Sequence, residues 1–486
     1  MPITRRKSYK KRRPTRRQMI MFKHASSIST ISEGETESNP SLSVSDSMRR
    51  RATIASVLGN ALEWFDFVVY GLLSAMIARL FFPSDDPTNS VLLGFATLGI
   101  SFVARPIGGL AFGIYADRYG RKKALTLIFT LMALGTLMIA FLPTYASIGI
   151  AAPLTLVLAR MIQGFSAGGE FGSATATLIE FAPKGRRGLY GSFQMVSQIV
   201  AILLASLFVV VLTKTLPESA LTSWGWRLPF LIGALVGPVG VYLRHRLAES
   251  PEFQAEVERL GDRPSTPFRS VIEKHRVELF ASFCLVAALT APNYVNSIYL
   301  PNFAVTHLGM AQANAYLTVM MAACVMGVLV PITGWLSDYV PRRRVIGFGL
   351  LANAVLYPIL FARFAEAHTF ASLLQLQLGS AVAYAFVVGP AAAQIAEIFP
   401  VGVRSVGVSL AYNVAVMLFG GMAPFILAWF GSVAQNVYGP VYFLASVALL
   451  GLIGLRLIAS SRERHPFQCA APAEDAVVSP AQGQQA

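Results

Sequence analysis

From about residue 53 onward the chain is a succession of apolar runs, most of them roughly 20–28 residues long. Each is long enough to cross a bilayer as a helix. They fall near 53–82, 90–115, 124–142, 150–181, 189–213, 227–244, 278–306, 312–337, 345–365, 369–397, 404–430 and 438–459. This predicts an all-α membrane protein with twelve spans, numbered here in chain order. A β-barrel would show short alternating segments instead. Composition agrees. Hydrophobic residues are 54 % and charged residues only 13 % of 486, with mean hydropathy +0.56. So few charges cannot cover a soluble surface.

The loops give a direction. Arg118, Arg121, Lys122 and Lys123 follow span 2, and Lys184, Arg186 and Arg187 follow span 4. Seven Lys and Arg from Arg244 to Arg276 follow span 6. Arg342–Arg344 follow span 8, Arg404 follows span 10, and Arg462 and Arg464 follow span 12. The alternate loops hold almost no Lys or Arg. The positive-inside bias then puts every even-numbered exit, and both termini, in the cytoplasm.

Residues 1–51 form a separate segment, with ten Lys and Arg in the first 23 positions and no acid among them. It has no apolar core of a secretory signal and reads as a disordered basic arm near anionic lipid. An organellar transit sequence and a translation start at Met48 are the alternatives. Residues 461–486 read as a disordered tail. The net charge of +15 divides into +9 for residues 1–51 and +6 for the rest. The basic balance therefore reports topology, and no nucleic-acid partner is expected. Cys284, Cys324 and Cys469 match no metal or redox spacing. No HExxH, Walker A or GxSxG pattern occurs, so neither an enzyme, a metal nor a cofactor is expected.

A charged stretch at 245–277 splits the chain into bundles at 52–244 and 278–460. The halves repeat each other. GIYADRYGRKK at 113–123 aligns with GWLSDYVPRRR at 334–344, and EFAPKGRRG at 180–188 with EIFPVGVRS at 397–405. Duplication of a six-helix unit is a transporter architecture, with the site at midplane between two rocking bundles.

The 113–123 loop and RMIQG at 160–164 resemble signatures of the major facilitator superfamily. GNALEWFDFVVYG at 59–71, ARPIGG at 104–109, QGFSAGGEFG at 163–172, WGWRLPF at 224–230, LAESPEF at 247–253 and EIFPVGVRSVGVSLAYN at 397–413 resemble its metabolite:proton symporter branch. The resemblance covers about 53–460. It implies a proton-coupled carrier of citrate, 2-oxoglutarate, shikimate, or proline and betaine, in the inner or plasma membrane. It also implies a latch in which Asp117 caps a helix of the other bundle, flanked by Arg121 and Glu180. The corresponding gating positions are Gly113, Arg118, Gly120, Arg187, Asp338, Arg342, Glu397 and Arg404. The second-half loop departs from the pattern at Tyr339 and Pro341, which weakens an equivalent role for it.

A charge at mid-bilayer depth costs several kcal/mol unless it faces protein or water. The first half holds five: Glu63 and Asp66 on one face of span 1, Arg105 in span 2, and Arg160 and Glu170 in span 4. Arg160 and Glu170 are about 15 Å apart along their helix and cannot pair with each other. The second half offers neutral groups instead: Asn293, Tyr294, Asn296 and Tyr299 in span 7, Tyr384 in span 10, and Tyr412 and Asn413 in span 11. Proton coupling needs a carboxylate that desolvation makes protonatable near neutral pH, and Glu63, Asp66 and Glu170 are the candidates. An anionic substrate needs a fixed cation, and Arg105 and Arg160 are the candidates. Gln163, Tyr70, Gln198, Asn293, Asn296, Tyr299 and Tyr384 complete the candidate substrate site.

Structural readings compete with each. Arg105 can simply neutralise Glu63 or Asp66, Arg160 can hold backbone carbonyls, Glu170 can belong to a structural cluster, and Trp64, Phe65 and Phe67 can be packing. Gly164, Gly168 and Gly172 allow close helix contact, either static or sliding. The expected function is proton symport of a small organic acid such as a di- or tricarboxylate. The alternative is a zwitterion such as proline or betaine, with an aromatic residue facing its ammonium. A non-transporting membrane sensor is the remote alternative. The expected partners are a small-molecule substrate, protons and the lipid bilayer, with the chain acting as a monomer. Deleting residues 2–47 is expected to leave uptake per inserted protein unchanged; loss of uptake in correctly inserted protein would contradict the dispensable-arm reading.

Overall fold

The computed structural model describes residues 46–119, 121–183, 185–235, 238, 268–400, 403–434 and 436–464. Among them the secondary structure is helical throughout. Span 1 is Asp46–Leu72 followed by Ser74–Phe81, bent by 64° at the junction. The last six residues of the 1–51 segment are therefore helical, which moves the start of span 1 earlier than expected. The rest of that segment, most of the 245–277 linker and the tail beyond 464 lie outside the described residues.

Span 2 is Pro87–Tyr119 and span 3 is Arg121–Phe141. Span 4 is Ala151–Ala167 and Glu170–Glu180, interrupted at Gly168 and Gly169, and span 5 is Arg187–Thr215. Leu228–Gly233 opens span 6. Span 7 is Arg276–Tyr294, a π turn at Val295–Tyr299, and Leu300–Leu308. Spans 8, 9 and 10 are Gln312–Tyr339, Arg342–Ala367 and Phe370–Ala396. Span 11 is Arg404–Val416, a second π turn at Met417–Gly421, and Ala423–Ala434; span 12 is Gly439–Arg464. Eight described helices are long and apolar enough to cross a membrane, nine with the bent span 1 counted. Span 3 adds the shorter apolar helix Thr126–Phe141.

The irregularities have local causes. Pro301 lacks the N–H that would bond to the Ser297 carbonyl, and its ring crowds that carbonyl, so span 7 widens into a π turn just before it. Pro424 does the same to the Gly420 carbonyl in span 11. Span 9 stops at His368, whose φ of 52° ends the helix in the left-handed region. Span 10 restarts at once, because Thr369 and Ser372 form a reciprocal capping box.

Spans 2 and 4 touch backbone to backbone. A Cβ on Gly164 would overlap the Ser101 carbonyl oxygen, and one on Gly168 the Arg105 carbonyl oxygen. These two glycines thus serve static packing inside the first half. Gly172 differs: it lies against Ser405 and Ser409 of span 11, in the other half. The sequence pattern joined three glycines that the fold divides between a fixed contact and the interface between halves.

Gly164→Ala is expected to destabilise the protein by about 1–3 kcal/mol through overpacking. Gly347→Ala, where the nearest atom to an added Cβ is the Leu455 side chain at 3.8 Å, should instead stabilise by about 0.5–1 kcal/mol. Thermal melting of the purified proteins checks the opposite signs.

Candidate functional site

The five mid-depth charges of the first half are buried, and four of them form two groups. In the first, Arg105 of span 2 lies 3.6 Å from Glu63 of span 1, each at most 3 % exposed. The guanidinium carbon sits 4.5 Å above both the Phe67 and Phe102 rings and 5.9 Å from Trp64. Ion pair and aromatic faces together replace the lost water.

The second group centres on Asp66. Its Oδ2 accepts from Gln163 Nε2 of span 4 at 2.6 Å and from the Thr136 hydroxyl of span 3. Gln163 Nε2 also lies 2.8 Å from Thr136 Oγ1. Gln163 Oε1 accepts from Arg160 Nη1 at 2.8 Å. Gln163 therefore stands between carboxylate and guanidinium. Asp66 Oδ1 has no hydrogen-bond partner and faces Gly233 of span 6, where a Cβ would overlap it. Arg160 lies 4.1 Å over Tyr70 and 5.0 Å over Phe67, with Nε and Nη2 without hydrogen-bond partners.

These contacts resolve the competing expectations. Glu63, not Asp66, is the partner of Arg105. Glu63 and Asp66 are one turn apart yet serve different neighbours, span 2 and spans 3 and 4. Arg160 is held by a side-chain amide and aromatic faces rather than by backbone carbonyls. Glu170 is fully buried in span 4, at the start of its second helix.

A small cavity lies where the halves meet. Trp64, Gln198, Asn293, Tyr294, Tyr384 and Tyr412 supply its polar and aromatic lining, with Thr290 and aliphatic or Met side chains. Among the described residues, no charged side chain lines it. Gln198 Nε2 and the Tyr294 hydroxyl are buried without hydrogen-bond partners. Tyr384 donates its hydroxyl to the Leu289 carbonyl.

Of the candidate substrate residues, Gln198, Asn293 and Tyr384 reach this cavity, while Arg105, Arg160, Gln163 and Tyr70 do not line it. Asn296 instead bonds Ser380 Oγ at 3.0 Å, and Tyr299 stacks on Phe303. Trp64, expected as packing, is on the cavity wall, with its ring also facing Arg105. Thr136 was not singled out by sequence. Its only signal was a hydroxyl in the apolar span 3.

The end bearing the basic loops is bridged between halves. Asp338 accepts from the backbone N–H groups of Gly188 at 2.6 Å and Leu189 at 3.0 Å, at the start of span 5. A carboxylate there satisfies free N–H groups and complements the helix dipole. Arg342 lies 3.5 Å from Asp338 and also pairs with Glu397. Glu180 of span 4 lies 3.8 Å from Arg404 of span 11. The second-half loop makes this cap with Tyr339 and Pro341 in place. Arg187 is the first residue of span 5. In the first-half loop, Gly120 lies outside the described residues, as do the side chains of Asp117, Arg118 and Arg121 and the surroundings of Gly113.

Residues 51–266 match the family described as Sugar (and other) transporter, and residues 283–483 match Major Facilitator Superfamily. A proline/betaine transporter of Salmonella typhimurium is 35 % identical over 421 residues, covering 84 % of this chain and 83 % of that protein. The chain belongs to the major facilitator superfamily. A citrate-proton symporter of Klebsiella pneumoniae is 36 % identical over 396 residues, covering 81 % of this chain and 88 % of the relative. The solved structure of the proton:xylose symporter XylE bound to 6-bromo-6-deoxy-D-glucose superposes with TM-score 0.72 at 18 % identity, covering 85 % of this chain and 96 % of that one. The fold is the twelve-span major facilitator fold. The protein is a multi-pass membrane transporter and not an enzyme.

Glu63→Gln leaves Arg105 buried without its counter-charge and is expected to cost about 3–5 kcal/mol. The double variant Glu63→Met with Arg105→Met should recover most of that loss. Melting temperatures of the three proteins check it, and a double variant no more stable than the single one would contradict a mainly structural pair.

Proposed function

We propose that this protein imports a small carboxylate-bearing solute together with protons across the inner membrane, by alternating access between bundles 52–244 and 278–460. The basic loops and both termini face the cytoplasm, as the positive-inside bias dictates. One chain contains the whole site, so a monomer suffices. The 245–277 linker ties the bundles, and Asp338, Arg342, Glu397, Glu180, Arg187 and Arg404 form the cytoplasmic latch. Gly113, Asp117, Arg118, Gly120 and Arg121 are assigned to the matching first-half loop. Nucleic acid has no part in this reading.

The observation that carries the proposal is a buried carboxylate outside the cavity between the halves, whose described lining carries no charge. Asp66 is the coupling group. Its Oδ2 is held by two neutral donors, and its Oδ1 is available to a proton. A proton there changes the charge opposite Arg160, which is joined to it through Gln163. Glu170 is a second buried carboxylate in the same bundle, and Glu63 stays with Arg105.

The cavity lining favours one of the two substrate readings. A tricarboxylate such as that named for the citrate-proton relative needs cations, and Arg105 and Arg160 stand behind the cavity wall. A zwitterion of the kind named for the proline/betaine relatives fits the lining better. Its ammonium would lie against Trp64, Tyr294, Tyr384 and Tyr412 through cation–π attraction. Its carboxylate would accept from Gln198 Nε2, the Tyr294 hydroxyl and Asn293. Asn296 and Tyr299 support this wall from behind, and Tyr70 supports Arg160.

Uptake of proline, betaine, citrate, 2-oxoglutarate and shikimate into proteoliposomes under an inward proton gradient tests this reading. Proline or betaine is expected to accumulate, with uptake abolished by a protonophore. Uptake that needs sodium and survives the protonophore would refute the coupling. Uptake of citrate alone would refute the zwitterion assignment. Trp64→Ala is expected to raise KM for betaine about 5- to 30-fold, the equivalent of roughly 1–2 kcal/mol of cation–π contact.

A further inference from the structure

The end of the molecule opposite the basic loops is also bridged between halves, by groups that neither the charge network nor the cavity uses. Span 1 bends by 64° between Leu72 and Ser74. Two carbonyls at this bend receive side-chain donors from the second half, and Gly71 O also accepts from the Ser74 hydroxyl at 2.7 Å. Asn302 Nδ2 of span 7 donates to Gly71 O at 3.0 Å, and the Tyr316 hydroxyl of span 8 donates to Leu72 O. Both donors are buried, Asn302 at 1 % and Tyr316 at 0 % exposure. Asn302 Nδ2 also bonds the Ile298 carbonyl at 2.7 Å, which ties it to the π turn of span 7. Gln312 Nε2 donates to Tyr316 Oη at 3.1 Å and fixes its direction. Gly71 has no side chain for a reason: a Cβ would press 2.5 Å from Ile298 Cδ1.

We propose that Asn302 and Tyr316 are the outer gate residues, closing the entrance over the cavity by hydrogen-bonding to the bend of span 1. The inner end uses a carboxylate accepting from a helix start. The outer end uses the reverse polarity, neutral donors giving to carbonyls at a helix bend. Neutral hydrogen bonds contribute little net free energy each, so such a gate opens readily. The bend of span 1 and the π turn of span 7 are places where these two spans depart from regular helix, and they flank the contact on both sides. The gate rests on the transport reading above, but its test does not require the substrate to be known.

The test uses a single reporter cysteine, Thr290→Cys on the cavity wall, in a background with Cys284, Cys324 and Cys469 replaced by Ser. A membrane-impermeant maleimide is applied to vesicles of each orientation. Adding Tyr316→Phe and Asn302→Ala together is expected to raise the labelling rate about fivefold or more from the face opposite the basic loops only, since two closing bonds are lost. Tyr316→Phe alone should give an intermediate rise. Where a transported solute is in hand, KM and kcat should fall together, because the open state becomes more populated while closure becomes harder. Unchanged labelling, or an equal rise from both faces, would overturn the gate. A lack of uptake of every solute tried, with the one-sided labelling change intact, would refute the substrate reading and leave the gate standing.

Discussion

A bilayer does not solvate charge, and this constraint organises the structure. Each charged group at mid-depth must find its counterpart inside the protein. The sequence concentrates those groups in the first half, and there the fold gives Glu63, Asp66, Arg105 and Arg160 identifiable neighbours. Arg105 is met by Glu63 and three aromatic rings. Arg160 is met by Gln163, Tyr70 and Phe67. Asp66 is met by Thr136 and Gln163. The second half has no such burden at mid-depth, and its contribution to the cavity is neutral: Thr290, Asn293, Tyr294, Tyr384 and Tyr412.

The division separates two kinds of surroundings. The buried charges Glu63, Asp66, Arg105 and Arg160 are kept in packed networks, and among the described residues none lines the cavity. Trp64 and Tyr294 bridge the two compartments. Trp64 faces both the cavity and Arg105, and Tyr294 packs edge-on against Phe102, which lies under the same guanidinium. A rearrangement around Arg105 therefore reaches the cavity wall through aromatic contacts. Gln163 has the corresponding position in the other group, joining Asp66 to Arg160 by hydrogen bonds to both.

The twelve spans were legible because a bilayer-length apolar run is a strong, local signal. The Arg105 partner was legible as an alternative, since spacing on span 1 leaves only Glu63 or Asp66 to choose from. The bend at Leu73 was not legible: no proline stands there, and its carbonyls are met both by the nearby Ser74 hydroxyl and by donors from spans 7 and 8 that sequence does not place. Pro301 and Pro424 were visible, but the π turns they accompany follow from how each helix absorbs the lost bond. The cavity was read only in part. Gln198, Asn293 and Tyr384 were found from polarity in apolar spans, whereas Trp64 looked like packing because a tryptophan on a helix face does so in either role. Arg105 and Arg160 do not line the cavity: charge type shows in a sequence, while the side chains packed between a charge and a cavity do not.

The central claim is that proton movement is carried by Asp66 in its own compartment, apart from the solute cavity. The direct measurement is the internal pH of proteoliposomes when solute is added outside, for the wild type and for Asp66→Asn, alongside exchange of labelled solute. The wild type should acidify the interior as solute enters. Asp66→Asn should still exchange solute without moving protons. Solute-dependent acidification that persists in Asp66→Asn would contradict the account.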